Sequence, residues 1–153
     1  MGKILIVDDE SSVLQGFQEL LSDLDHRVFT AGSAEAGLEI VAREQPDVVV
    51  TDLSLPGMSG LEFCRAFRAV PRDRYGYFIL LTSKSEKNEI AQGLDSGADD
   101  FLTKPVNSNE LRARIAAGDR ILQMQNELSE KNRVISDTLA KLQTVYDRID
   151  QDL

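Results

Sequence analysis

The sequence is poor in cysteine, histidine and positive charge, and it has no long apolar run. Cys64 is the one cysteine in 153 residues, so no disulfide can form within the chain. Its setting between Leu61, Phe63 and Phe67 reads as a thiol on the core face of a helix. A cytosolic compartment is the default for such a chain. The lone His26 falls in a helix-to-strand turn with no motif around it, which gives it no catalytic role. No apolar stretch reaches the length of a membrane span or a signal-peptide core, so no membrane partner is expected. The start Met1-Gly2-Lys3 lacks the hydroxyl residue that myristoylation needs, because Ile6 stands in its place. Lys and Arg number 17 against 26 Asp and Glu, a net charge of −9. That balance excludes a general nucleic-acid surface, which needs clustered cations.

What is present suits one compact domain with an appendage, at 42% hydrophobic content. Strand and helix signals alternate. Apolar, β-branched runs at 3–7, 27–31, 48–51, 78–81 and 101–102 read as strands. Between and after them, helices are expected at 11–24, 34–43, 61–70 and 87–95, and a last one is capped by Asn107 or Ser108 with Glu110 placed for a capping box. Gly97 reads as the residue that ends the fourth helix, and Pro71 to Gly76 as a loop. Repeated β–α units predict a parallel sheet with helices on both faces and all strand C-termini on one edge. Asp8, Asp9, Asp52, Thr82 and Lys104 each fall at such an end. In an open α/β sheet, that edge is where ligands bind. Converging carboxylates there require a divalent cation, a basic side chain or shifted protonation.

From residue 119 to 153 there is no Pro and no Gly, and charges of both signs alternate. Ile121, Leu128, Ile135, Leu142 and Ile149 form one seam series, and Gln125, Asn132, Leu139, Tyr146 and Leu153 the other. Alternating three- and four-residue steps match heptad d and a sites. The expectation is a compact domain over 1–118 and a coiled-coil stalk over 119–153, with Asn132 at an a site favouring a parallel, in-register homodimer. Gly118 is a weak point in the helix entering the stalk, costing about 1 kcal/mol against Ala.

The residues resemble the receiver domain of bacterial two-component response regulators, the CheY-like receivers. The segments that carry the resemblance are Val7-Asp8-Asp9-Glu10, Asp52 to Gly60, Leu81-Thr82-Ser83, and Asp99 to Pro105, within about residues 1–117. The resemblance implies a flavodoxin-like five-stranded parallel sheet in the order 2-1-3-4-5. It implies Asp52 as phosphoacceptor, giving an aspartyl phosphate. Asp8 and Asp9 become magnesium-binding acids, with Asp9, Asp52 and the Ser54 carbonyl as direct ligands and Asp8 acting through water. Thr82 becomes the switch hydroxyl, Phe101 the switch aromatic, Lys104 the phosphoryl-binding lysine, and Pro105 its cis-proline neighbour. Ser83 departs from the alanine usual in the family. Ser54 and Lys84 occupy the positions that tune hydrolysis of the phosphoaspartate.

The implied activity is signalling: a histidine kinase or phosphotransfer protein phosphorylates Asp52, and the change passes through the stalk to an effector. The chain would catalyse only its own phosphorylation and dephosphorylation. Two other readings compete. One is a phosphorylation-independent dimerisation module. The other is a metal-dependent phosphatase with an aspartyl nucleophile, against which Ser54 stands where such enzymes carry a second catalytic Asp. The heptads stop in mid-repeat at Leu153, so a longer regulator is expected, with a serine/threonine phosphatase or a diguanylate cyclase as candidate effector.

Overall fold

A computed structural model describes residues 2–83 and 90–152. Its elements run β1 (Gly2–Val7), α1 (Ser11–Leu20), β2 (His26–Ala31), α2 (Ala34–Glu44), β3 (Val48–Asp52), α3 (Gly60–Ala69), β4 (Tyr77–Thr82), α4 (Ile90–Asp95), β5 (Asp100–Thr103) and α5 (Ser108–Asp152). The strands form one parallel sheet in the order β2-β1-β3-β4-β5, the expected flavodoxin-like arrangement. The chain divides into two units, Met1–Leu122 and Gln123–Leu153.

In the first unit the sheet is covered on both sides, which is why β3 and β4 are buried along their whole length and carry unbroken apolar runs rather than alternating with polar residues. The pleat divides them. Leu5, Val7, Val49, Phe78 and Leu80 face a core built with α2 and α3. Ile4, Ile6, Val48, Val50, Ile79 and Leu81 face a second core with Leu21, Leu111, Ile115 and Leu122. Phe78 is the pivot of the first core: the Phe63 ring meets it edge-on at 5.5 Å, and the Phe67 ring lies at 5.4 Å.

Most helix boundaries follow local capping. Ser33 accepts from the Ala36 amide at 3.1 Å, and Ser59 from the Glu62 amide at 3.2 Å. For α5 the cap is Asn107, whose carboxamide oxygen accepts from the amides of Asn109 and Glu110. Helix α1 stops at Leu20, short of the expected residue 24. The apolar period continues past its end because Leu21, fully buried, still packs into the core from the turn. The expected helix start at Lys87 lies outside the described residues, as does Lys84. Gly97, after α4, has φ +105°, the left-handed conformation that glycine adopts at least cost.

Gly118 does not interrupt α5. A Cβ there would lie 2.8 Å from Cδ2 of Tyr77. The glycine lets the helix backbone rest on the Tyr77 ring, which is itself buried. At the next residue, Asp119 Oδ2 lies 2.9 Å from His26 Nε2.

The second unit is helical over its described length, and its apolar side chains are exposed. Leu128, Ile135, Leu139, Leu142, Tyr146 and Ile149 all lie open to solvent. Some of its charges pair along the helix: Arg133 binds Glu130 at 2.5 Å and Asp137 at 3.2 Å, spacings of three and four residues.

Substituting Gly118→Ala gains about 1 kcal/mol of helix propensity but forces a methyl into the Tyr77 ring, and overpacking of this kind costs about 1–3 kcal/mol. The expected net result is a lower melting temperature, read by thermal denaturation. A melting temperature above that of the parent would contradict the close packing.

Candidate functional site

Strand register assembles the site. Val7 pairs with Thr51, so the residues that follow, Asp8 and Asp52, leave the sheet side by side. Thr82 pairs with Thr103, so Lys104 follows immediately beside Thr82, and its amide donates to the Thr82 carbonyl at 2.6 Å. Asp8, Asp9 and Asp52 each place a carboxylate oxygen within 4.8 Å of the others. Lys104 Nζ lies 2.5 Å from Asp52 Oδ2. Asp52 is 6% exposed and Asp8 3%, whereas Asp9 is open to solvent.

Backbone donors hold the carboxylates. The Ser54 amide donates to Asp52 Oδ1 at 3.2 Å, and the Glu10 amide to Asp8 Oδ1 at 2.9 Å. Burial pushes the Asp8 carboxyl above its ordinary range; the Glu10 amide works against this, and the charge of Asp52 adds to it. Thr82 is 2% exposed, and its Oγ1 has no hydrogen-bond partner among the described residues. A buried hydroxyl left without a partner is costly and marks a place for a missing acceptor.

The structure therefore brings together Asp8, Asp9, Asp52 and Lys104, and sets Thr82 beside Lys104 in the chain-to-chain register. Phe101 lies apart from the carboxylates in sequence register, two residues before Thr103. It is half-buried and packs against the α2/α3 core. The Lys104–Pro105 bond is cis.

Among the described residues, the three acids opposed by the Lys104 ammonium leave a surplus of negative charge in a confined space. That donor set suits a hard divalent cation such as magnesium, which prefers carboxylate, carbonyl and water oxygens.

Other residues shape the site without any local sequence signal. A Cβ on Gly60 would fall 2.5 Å from the Asp52 carbonyl oxygen, so only glycine permits α3 to start this close to the acid. Glu35, on α2, accepts from the Met58 amide at 3.1 Å and so reaches the β3–α3 loop from a different element. At the opposite rim, Arg68 binds Asp99 at 2.7 Å, donates to the carbonyls of Gly97 and Gly76, and stacks on the Tyr75 ring. Tyr75 donates its hydroxyl to Asp99 as well, and burial followed by that bond pushes its pKa up to about 12.

A doubly wound parallel sheet with acids, a hydroxyl and a lysine at the carboxyl ends of its strands defines a flavodoxin-like domain with a charged rim site. Residues 4–116 match the response regulator receiver domain, and the chain belongs to that family, the receivers of two-component signalling. The transcriptional regulatory protein AfsQ1 of Streptomyces coelicolor is 38% identical over 117 residues, which is 76% of this chain and 51% of that relative. The response regulator PleD of Caulobacter vibrioides is 33% identical over 129 residues, 84% of this chain and 28% of its own. A crystal structure of a response regulator receiver domain protein from Clostridium thermocellum aligns with a TM-score of 0.76 at 30% identity, covering 81% of this chain and 98% of that one. These relatives are named as regulators, and the chain spans about half or less of the length of the two curated ones. Among the described residues, no helix is long and apolar enough to cross a membrane.

The raised Asp8 carboxyl has a consequence for stability. A carboxyl whose pKa is higher in the folded state favours folding while it is protonated, and that contribution is lost as pH rises through its folded value. At neutral pH, ionised Asp8 therefore costs stability. Asp8→Asn, which keeps an oxygen for the Glu10 amide, is expected to raise the melting temperature at pH 7 in metal-free buffer. The gain should shrink toward pH 3. An equal gain at both pH values, or none, would show that burial of the ionised Asp8 carboxylate is not the cause.

Proposed function

We propose that Asp52 accepts a phosphoryl group from a histidine kinase or a phosphotransfer protein. The reading rests on the ion pair between Lys104 and Asp52 at 2.5 Å, inside a cluster of three carboxylates and beside an unpartnered threonine hydroxyl. A carboxylate oxygen of Asp52 attacks phosphorus, and the bond from phosphorus to the donor's imidazole nitrogen breaks, its electron pair returning to the imidazole. The difficulty is anion meeting anion, so positioning and electrostatics supply most of the catalysis. Lys104 turns its ammonium to a phosphoryl oxygen. Thr82 donates its hydroxyl to a second one and so gains the partner it lacks. Asp8, Asp9, Asp52 and the Ser54 carbonyl would hold magnesium, whose charge neutralises the converging oxygens when it is bound.

The same contacts make a switch. Thr82, drawn toward the phosphoryl group, vacates space into which Phe101 turns, and the outer face of the last β–α units changes shape. Two charge-assisted hydrogen bonds are worth a few kcal/mol, enough for a roughly hundredfold shift between two states. A cavity lined by Asp8, Glu10, Val13, Phe17, Lys104, Pro105 and Val106 opens beside the acids. Its apolar lip next to the acceptor suits docking of the phosphodonor.

For the helical unit we propose a parallel coiled-coil homodimer that relays the switch to an effector. A serine/threonine phosphatase or a diguanylate cyclase remains the candidate effector, and the cytoplasm the compartment. The domain division we propose is 1–118 for the receiver and 119–153 for the stalk. The exposed seam at Leu128, Ile135, Leu139 and Leu142 supports the dimer. The intact set of Asp52, Thr82 and Lys104 argues against a dimerisation module that works without phosphorylation.

Incubation with a small-molecule phosphodonor, with and without magnesium, tests the acceptor. Asp52→Asn should abolish labelling with an unchanged circular dichroism spectrum; labelling of the variant at the parental rate would rule out the assignment. Asn132→Leu removes the polar a site and should raise dimer stability while loosening the choice of register or oligomer, by about 1–2 kcal/mol in sedimentation equilibrium. Parent and variant both strictly monomeric at all concentrations would remove the coiled coil.

A further inference from the structure

We propose that Glu35 is a positioning residue for the metal site, acting through the loop between β3 and α3. The proposal rests on the reading that Asp8, Asp9, Asp52 and the Ser54 carbonyl hold magnesium. Both ends of that loop are held by main-chain hydrogen bonds. The Leu53 amide donates to the Leu81 carbonyl at 2.9 Å, and the Gly60 amide closes back onto Leu53 at 2.9 Å. Leu53 and Leu55 are buried. The apex is different. Pro56 and Gly57 are exposed, and Gly57 sits at φ +75°. The adjacent Met58 amide donates to Glu35 Oε1, on another element 23 residues away in sequence.

Glu35 is well placed to act as a tether. It follows Ala34 at the start of α2, behind the Ser33 cap. Its own amide, then the Met58 amide, hold its carboxyl below the ordinary range, with the Ser33 hydroxyl adding to this. It is therefore a charged acceptor at neutral pH, and a charge-assisted bond is stronger than a neutral one. The loop it restrains carries Ser54, whose amide already orients Asp52. Magnesium demands near-ideal octahedral geometry, so a ligand carbonyl on a loosened loop binds it less well.

The test uses the full chain with Glu35→Ala and Glu35→Gln. Magnesium chloride is titrated and followed by calorimetry, and hydrogen exchange at the Met58 amide is measured without metal. Glu35→Ala should exchange faster at Met58 and bind magnesium about threefold to tenfold more weakly. Glu35→Gln, which retains an acceptor oxygen but no charge, should recover most of both. Equal weakening in the two variants would mean a simple loss of nearby negative charge and would overturn the tether. Faster exchange with parental magnesium affinity would overturn it too, as would unchanged exchange in Glu35→Ala. A parent chain that takes up no magnesium would instead defeat the metal reading itself, and the tether with it.

Discussion

The molecule depends on crowding like charges at one rim of a sheet and offsetting them with the ammonium group of Lys104. Two strands in the middle of the sheet end in acids, and parallel register puts those ends together. Lys104 reaches them because β5 runs parallel to β4 and ends level with it. Burial adds its own cost, and it is the main cause of the raised Asp8 carboxyl. A site of this kind is built to receive something rather than to be stable by itself, since buried charge without full compensation is costly. The two apolar cores hold the rim in place, and they allow it to be strained because β3, fully buried along its length, cannot shift.

Much of this was legible in the sequence, and the gaps have physical causes. The five strands stand out because a sheet covered on both faces needs unbroken apolar runs, and the acids, Thr82 and Lys104 stand out because they end those runs. The end of α1 was not legible: Leu21 keeps the helical period while already lying in the turn, so periodicity overshoots the true boundary. Gly118 was read as a weakness of the helix, whereas its lack of a side chain is what Tyr77 packs against. Glu35 is not legible in the same way, because its role lies in a contact with a distant segment, for which the local sequence holds no sign. The Asp99 network was hidden for the same reason, since an acidic pair before a short strand looks like an ordinary turn.

The two units meet the problem of burial in different ways. The receiver hides its apolar side chains within itself, down to Leu122. A single helix cannot do so, and isolated helices owe most of their stability to packing rather than to propensity. Arg133, bridging Glu130 and Asp137, supports the second unit from its polar side only. Its apolar stripe is left for whatever surface it meets.

The rim opposite the acids carries its own chemical limit. Tyr75 must keep its proton to bind Asp99, and folding defends that proton up to about 12. A phenol raised in this way favours the native state below its ordinary value near 10 and loses that contribution as the solution becomes more alkaline. Strong base should therefore prise open the lower end of β4 and β5, where Arg68, Tyr75 and Asp99 interlock, before it reaches the acids at the other end of the same strands.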